Sequence, residues 1–99
     1  MDKIEIRNLE CYCHHGVLRE ENVLGQKFLV SAVLYMDTRK AGNEDDLSQS
    51  VNYAETAHFI NEIMSLREHR LIESVAEHIA REVLFKYPLL QKIEVSIQK

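Results

Sequence analysis

The chain has 99 residues, 45% of them hydrophobic and 28% charged, with one Pro, three Gly and a formal net charge of −4. This balance suits one globular domain with a single modest core and argues against disorder. It lacks the basic footprint that nucleic acid or an anionic membrane surface selects. The longest apolar run, Phe28–Met36, is too short for a bilayer and contains Ser31. The charged start MDKIEIRN has no apolar signal core, so a cytoplasmic protein is expected, with Cys11 and Cys13 as free thiols.

Lys3–His14 reads as a strand. Ile4 and Ile6 alternate, then Leu9, Cys11 and Cys13 alternate in the opposite phase, which predicts a bulge at Arg7–Asn8. His15–Gly25 is polar, has Gly near both ends and reads as a loop. Gln26–Thr38 reads as a long strand. It is apolar on both faces, with Phe28, Val30, Ala32, Leu34 and Met36 on one side and Leu29, Val33 and Tyr35 on the other. Such a strand is covered on both faces, by helices and by a partner subunit.

Arg39–Ser50 reads as a charged connection. Asn52 followed by Glu55 forms a candidate capping box, and Ala54, Ala57, Ile60 and Met64 give a helical stripe. A break is expected at Arg67–His69. Ile72, Val75, Ala76, Ile79, Ala80 and Val83 then keep helical spacing until Pro88 stops the helix. Ile93, Val95 and Ile97 alternate with polar residues as a half-exposed strand. The order β-β-α-α-β predicts an α+β domain over 1–99, an antiparallel sheet with two helices on one face. A fourth strand is missing from this order, so either another subunit or a longer natural chain completes the sheet.

The stretch ECYCHHG packs Cys11, Cys13, His14 and His15 together. On a strand, Cys11, Cys13 and His15 share a face and His14 points away. Same-face neighbours lie roughly 6–7 Å apart, too far for adjacent ligands of one tetrahedral zinc without a bend. Alternate strand residues also seldom reach disulfide geometry. The spacing favours two small buried apolar residues followed by a turn at His15–Gly16. Five other residues read blandly one at a time. Tyr53 suits helix-start packing, Glu73 a first-turn carboxylate favoured by the helix dipole, Glu20 and Glu21 a solvated loop, and Lys99 a terminal lysine.

Together they form a pattern. HHGVLREEN, VNYAE and LIESVAE, with MDKIEIRNL before them and EVSIQK after, resemble dihydroneopterin aldolase in order along the whole chain. The resemblance implies the tunnelling fold, with protomers joined edge to edge in rings that stack as homo-octamers and sites between neighbouring protomers. It implies a small-molecule pterin substrate, 7,8-dihydroneopterin, cleaved by a retro-aldol reaction to 6-hydroxymethyl-7,8-dihydropterin and glycolaldehyde in folate biosynthesis. Epimerisation at the side-chain carbon is a possible second activity. No metal, other cofactor or Schiff base is implied, and no nucleic acid or membrane partner.

Position by position, the resemblance makes Glu73 the carboxylate that holds the pterin's amino-pyrimidinone edge, a pairing of two parallel N–H bonds strengthened by charge. Leu71 and Ile72 flank it. Tyr53 is the phenol from the neighbouring protomer, expected to act in proton transfer at the reacting centre, with Val51 and Asn52 in the same recognition stretch. Glu21 is the carboxylate near the substrate side chain, and Lys99 the general acid/base. His15–Gly16 shapes the loop that delivers Glu21, and Cys13 stands where Gly is common. Family members continue beyond this lysine into a last strand, so that strand is expected to be absent here. The competing readings are a dihydroneopterin-triphosphate epimerase, which calls for basic groups where these loops are acidic, and a non-catalytic pterin-binding oligomer.

Overall fold

The computed structural model describes residues 2–36, 51–66 and 68–99. The elements run β1 (Asp2–Cys13), α1 (Arg19–Leu24), β2 (Gln26–Met36), α2 (Tyr53–Leu66), α3 (Ile72–Lys86) and β3 (Lys92–Gln98). The α+β class holds, and the three strands form an antiparallel sheet in the order β1-β2-β3. The expected order β-β-α-α-β needs one correction, because the expected loop His15–Gly25 contains α1. Its six residues are too few for helical periodicity to register, although Glu20 and Glu21 in the first turn and Gly25 at the end are ordinary helix signals. The expected Arg39–Ser50 connection, the end of the Gln26–Thr38 strand and Arg67 lie outside the described residues.

The bulge forms where the phase slips. Ile6 pairs with Ala32 and Leu9 with Val30, so β1 carries one extra residue. Asn8 takes it up at φ 53, a left-handed conformation that Asn tolerates, and its N–H donates to Ser31 Oγ at 3.0 Å. Ile6, Cys11 and Cys13 therefore all reach the core, with Phe28, Val30, Ala32, Leu34 and Met36 of β2. The register sets Ile93, Val95 and Ile97 of β3 against the same face.

Both helices cover that face. α2 lies over β1, α3 over β3, and the two helices touch. α2 buries Thr56, Ile60, Ile63 and Met64; α3 buries Val75, Ile79 and Val83, the 3- and 4-residue stripe expected. Asn52 caps α2, its Oδ1 accepting the N–H groups of Ala54 (3.0 Å) and Glu55 (3.2 Å). Glu55 turns elsewhere than the expected box, to the Tyr87 hydroxyl at 2.9 Å. On the other sheet face, Leu29, Val33 and Tyr35 are half-buried within this one chain. Tyr35 donates to Glu94 at 2.9 Å, with Lys92 over its ring. Among the described residues, no helix is long and apolar enough to cross a membrane.

Cys11 and Cys13 are 2% and 3% exposed, and both are free thiols. Burial pushes the Cys11 thiol up to about 11, and raises that of Cys13 as well. Both stay protonated at neutral pH, without the thiolate that reacts or binds metal. Native protein at pH 8 should therefore react with a thiol-specific disulfide reagent at least about a hundredfold more slowly than unfolded protein. Rapid native labelling of both thiols would show that this strand end opens far more readily than its packing indicates.

Candidate active site

The site lies at one end of the sheet. The end of β1, the start of β2 and the end of β3 coincide there, because Cys13 pairs with Gln26 and Gln98 with Leu29. α1 spans the gap between β1 and β2. It presents Glu21 at its third position, close enough for the carboxylate to turn back to the chain: Oε1 accepts the Leu18 N–H at 3.2 Å. Oε2 accepts Gln26 Nε2 at 3.1 Å and Lys99 Nζ at 2.6 Å. The side chains of Lys99 and Glu21 are 44% and 19% exposed. The Lys99 ammonium, followed by the Leu18 N–H, holds the Glu21 carboxyl below the usual carboxylate range. Glu21 is thus ionised at neutral pH and loses its charge only as pH falls through that lowered value.

The loop before α1 is fastened at several points. Asn22 Nδ2 donates to the carbonyls of His14 and Gly16, both at 3.0 Å. The Tyr12 hydroxyl donates to the Leu24 carbonyl. The firmest attachment is His15, whose side chain is 1% exposed. The His69 N–H points at His15 Nδ1 (3.0 Å), which must therefore be the unprotonated nitrogen. Nε2 then carries the proton and donates to the Met64 carbonyl at 2.8 Å, near the end of α2. Burial lowers the His15 pKa and keeps this neutral form, against the opposing pull of the Met64 bond. The Gly16 N–H donates to the His69 carbonyl at 2.8 Å, so the two segments are tied in both directions.

His69 leads directly into α3. Leu71 precedes the helix and is exposed, Ile72 is half-buried against the core, and Glu73 is exposed in the first turn. These three therefore belong to the same end of the molecule as Glu21 and Lys99. The remaining candidates do not. Val51 is 6% exposed within the core, Asn52 is spent on capping α2, and Tyr53 opens that helix with 65% of its surface exposed. Tyr53 stands eleven residues before Met64, roughly 16 Å along the helix axis at 1.5 Å per residue. One chain thus holds two separated groups of candidate residues.

Gln26, Asn22 and His69 escaped sequence reasoning. Gln26 opens a strand as an ordinary polar residue, and nothing local marks the other two. Among the described residues, no three His, Cys, Asp or Glu side chains are placed to hold a metal ion. A groove of about 340 Å3 lined by Tyr12, Cys13, His14, Met64, Ser65 and Glu68 contains none of the candidate residues.

Gly16 is required by space and backbone. A Cβ there would sit 2.5 to 2.8 Å from the Glu21 carboxylate atoms, and φ is +142, where side chains rarely fit. Gly16→Ala should displace Glu21 and lower unfolding stability by about 1–3 kcal/mol in urea melts. An unchanged midpoint would mean that the carboxylate moves aside without cost.

A family model described as dihydroneopterin aldolase matches residues 4–99. The dihydroneopterin aldolase of Bacillus subtilis is 42% identical over 99 residues, all of this chain and 82% of that protein. That of Methylorubrum extorquens is 39% identical over 98 residues, 99% of this chain and 75% of that one. The crystal structure of E. coli dihydroneopterin aldolase in complex with neopterin superimposes with a TM-score of 0.92 at 26% identity, covering 98% of this chain and 84% of that one. By family model, relatives and fold together, this chain belongs to the dihydroneopterin aldolase family.

Proposed function

We propose that the end of the sheet carrying Glu21 and Lys99 is where 7,8-dihydroneopterin is cleaved to 6-hydroxymethyl-7,8-dihydropterin and glycolaldehyde. One observation carries the reading. Two of the ionisable groups expected at the reacting carbon, 78 residues apart, meet at 2.6 Å at this end of the sheet. The neopterin bound by the E. coli relative has the substrate's chemical frame.

Glu73 offers its exposed carboxylate to the amino-pyrimidinone edge, with Leu71 and Ile72 beside it. The pterin side chain then extends toward Glu21 and Lys99. Cleavage requires removal of the proton from the hydroxyl on the departing carbon. The carbon–carbon bond breaks, glycolaldehyde leaves, and the electron pair passes into the dihydropterin ring. A proton delivered to the remaining side-chain carbon completes the product. Glu21 and Lys99, already sharing a hydrogen bond, supply an acceptor and a donor for this exchange. The ring itself takes the electrons, so the reading needs neither an imine nor a metal.

Tyr53, with Val51 and Asn52, serves the site of a second copy of the chain. The reading rests on the helix length between Tyr53 and the Glu21 end, and it makes the active form a homo-oligomer with each site shared between protomers. The single domain over 1–99 provides both halves.

Glycolaldehyde release from 7,8-dihydroneopterin tests the site. Lys99→Ala should abolish most of it, and release at the native rate would sink the role given to Lys99. Glu73→Ala should weaken neopterin binding by roughly tenfold or more, the loss of a charge-assisted pair, whereas Glu21→Ala should weaken it less. Equal affinities would overturn the division of roles. Sharing of sites has its own test. Tyr53→Phe and Lys99→Ala chains, each nearly inactive alone, should regain about a quarter of native activity when co-refolded at equal amounts, by random pairing of half-sites. No recovery in mixed oligomers would place both residues in the same copy's site.

A further inference from the structure

We propose that His15 is a positioning residue whose imidazole, by accepting the His69 N–H at Nδ1, holds the Glu21 loop in register with the Leu71–Glu73 segment. The inference rests on the roles proposed above for Glu21 and Glu73. Those residues sit on different stretches of chain, and in this fold the stretches are joined through His15 and Gly16. Glu21 follows Gly16 by five residues, and Glu73 follows His69 by four. Both levers are short, so the relative position of the two carboxylates is set where Gly16 and His15 meet His69.

Three hydrogen bonds make that junction: Gly16 N–H to the His69 carbonyl (2.8 Å), His69 N–H to His15 Nδ1 (3.0 Å), and His15 Nε2–H to the Met64 carbonyl (2.8 Å). The ring is packed edge-on against Phe28 and His69, with centroids at 5.6 and 5.4 Å, so it cannot swing away from either partner. The geometry demands one acceptor and one donor on a rigid ring in a dry site. Lysine and arginine offer no acceptor, and ionised carboxylates no donor. An amide can replace half of the imidazole. Asparagine places an oxygen where Nδ1 lies, and glutamine reaches the position of Nε2.

This difference separates positioning from mere packing. His15→Asn keeps the bond to His69 and loses the one to Met64; His15→Gln does the reverse. Both variants should lose thermal stability to a similar extent. In glycolaldehyde release, His15→Gln should lose roughly ten- to a hundredfold in kcat with KM within about threefold of native, as expected when reacting groups shift by a fraction of an ångström to an ångström. His15→Asn should stay within about threefold of the native kcat. Equal losses of kcat in the two variants, or a larger loss in His15→Asn, would overturn the coupling. Glu21→Ala serves as the reference. If it loses turnover while the two His15 variants behave alike, the coupling alone fails. If Glu21→Ala remains fully active, the role of Glu21 fails and the coupling with it. Should either His15 variant not fold, amide exchange of the native chain decides. The His69 and Gly16 amides open as one unit and should show protection factors within about threefold; a difference beyond about tenfold would overturn the junction.

Discussion

The site depends on a single extra residue in β1. Side chains on a strand alternate, so one inserted residue reverses the face of everything after it. Asn8 provides that reversal, at φ 53 and bonded to Ser31. Before it, Ile6 faces the helices; after it, Cys11 and Cys13 face them too, and His15 continues in the same phase into the core. Without the bulge, Tyr12 and His14 would turn inward, and His15 would stand in solvent with no route to Met64 or His69. A left-handed Asn in the middle of an exposed strand edge thus governs the placement of an imidazole seven residues later.

Burial and charge divide the work at this end of the sheet. The Lys99–Glu21 pair is partly exposed, and such pairs contribute little to stability because water already solvates both charges. The buried neutral imidazole behaves differently. It satisfies an α2 carbonyl and a backbone N–H that would otherwise be stranded in a dry interior, where each missing partner costs about 1–3 kcal/mol. Fastening falls to the neutral, enclosed groups. The charged ones remain partly accessible at the surface. Gly16 stands between the two, leaving room for the Glu21 carboxylate where any side chain would intrude.

Regular structure was legible in the sequence wherever periodicity had room to register. The phase slip at Arg7–Asn8 located the bulge, the Ile72–Val83 stripe located α3, and Asn52 located the start of α2. α1 was not legible, because six residues are less than two turns. The pairing of Glu21 with Lys99 and of His15 with His69 was equally hidden. These contacts span 78 and 54 positions, and no local pattern specifies which distant residues an antiparallel register will bring together. Resemblance to a family supplied Glu21, Lys99, Tyr53 and Glu73 as parts of one chemistry. It gave no role to His69, Asn22 or Gln26, which hold Glu21 and the loop before it. The two cysteines drew attention through their spacing, yet they serve as small core residues below the loop that matters.

If Tyr53 and Glu21 serve one chemistry, as proposed above, the length of α2 is the reason one chain is not enough. Its C-terminal turn is held by His15 at the Glu21 end, and its N-terminal turn carries Tyr53 at the other. The helix is a rigid spacer packed along its length through Thr56, Ile60, Ile63 and Met64, so bending it to bring Tyr53 back would require dismantling the core. Loops can close over a substrate, but a packed helix cannot shorten. On the reading proposed here, the molecule instead meets the distance by symmetry. A second copy presents the opposite end of its own α2, and the length that separates the half-sites within a chain becomes the length that spaces complete sites around an assembly.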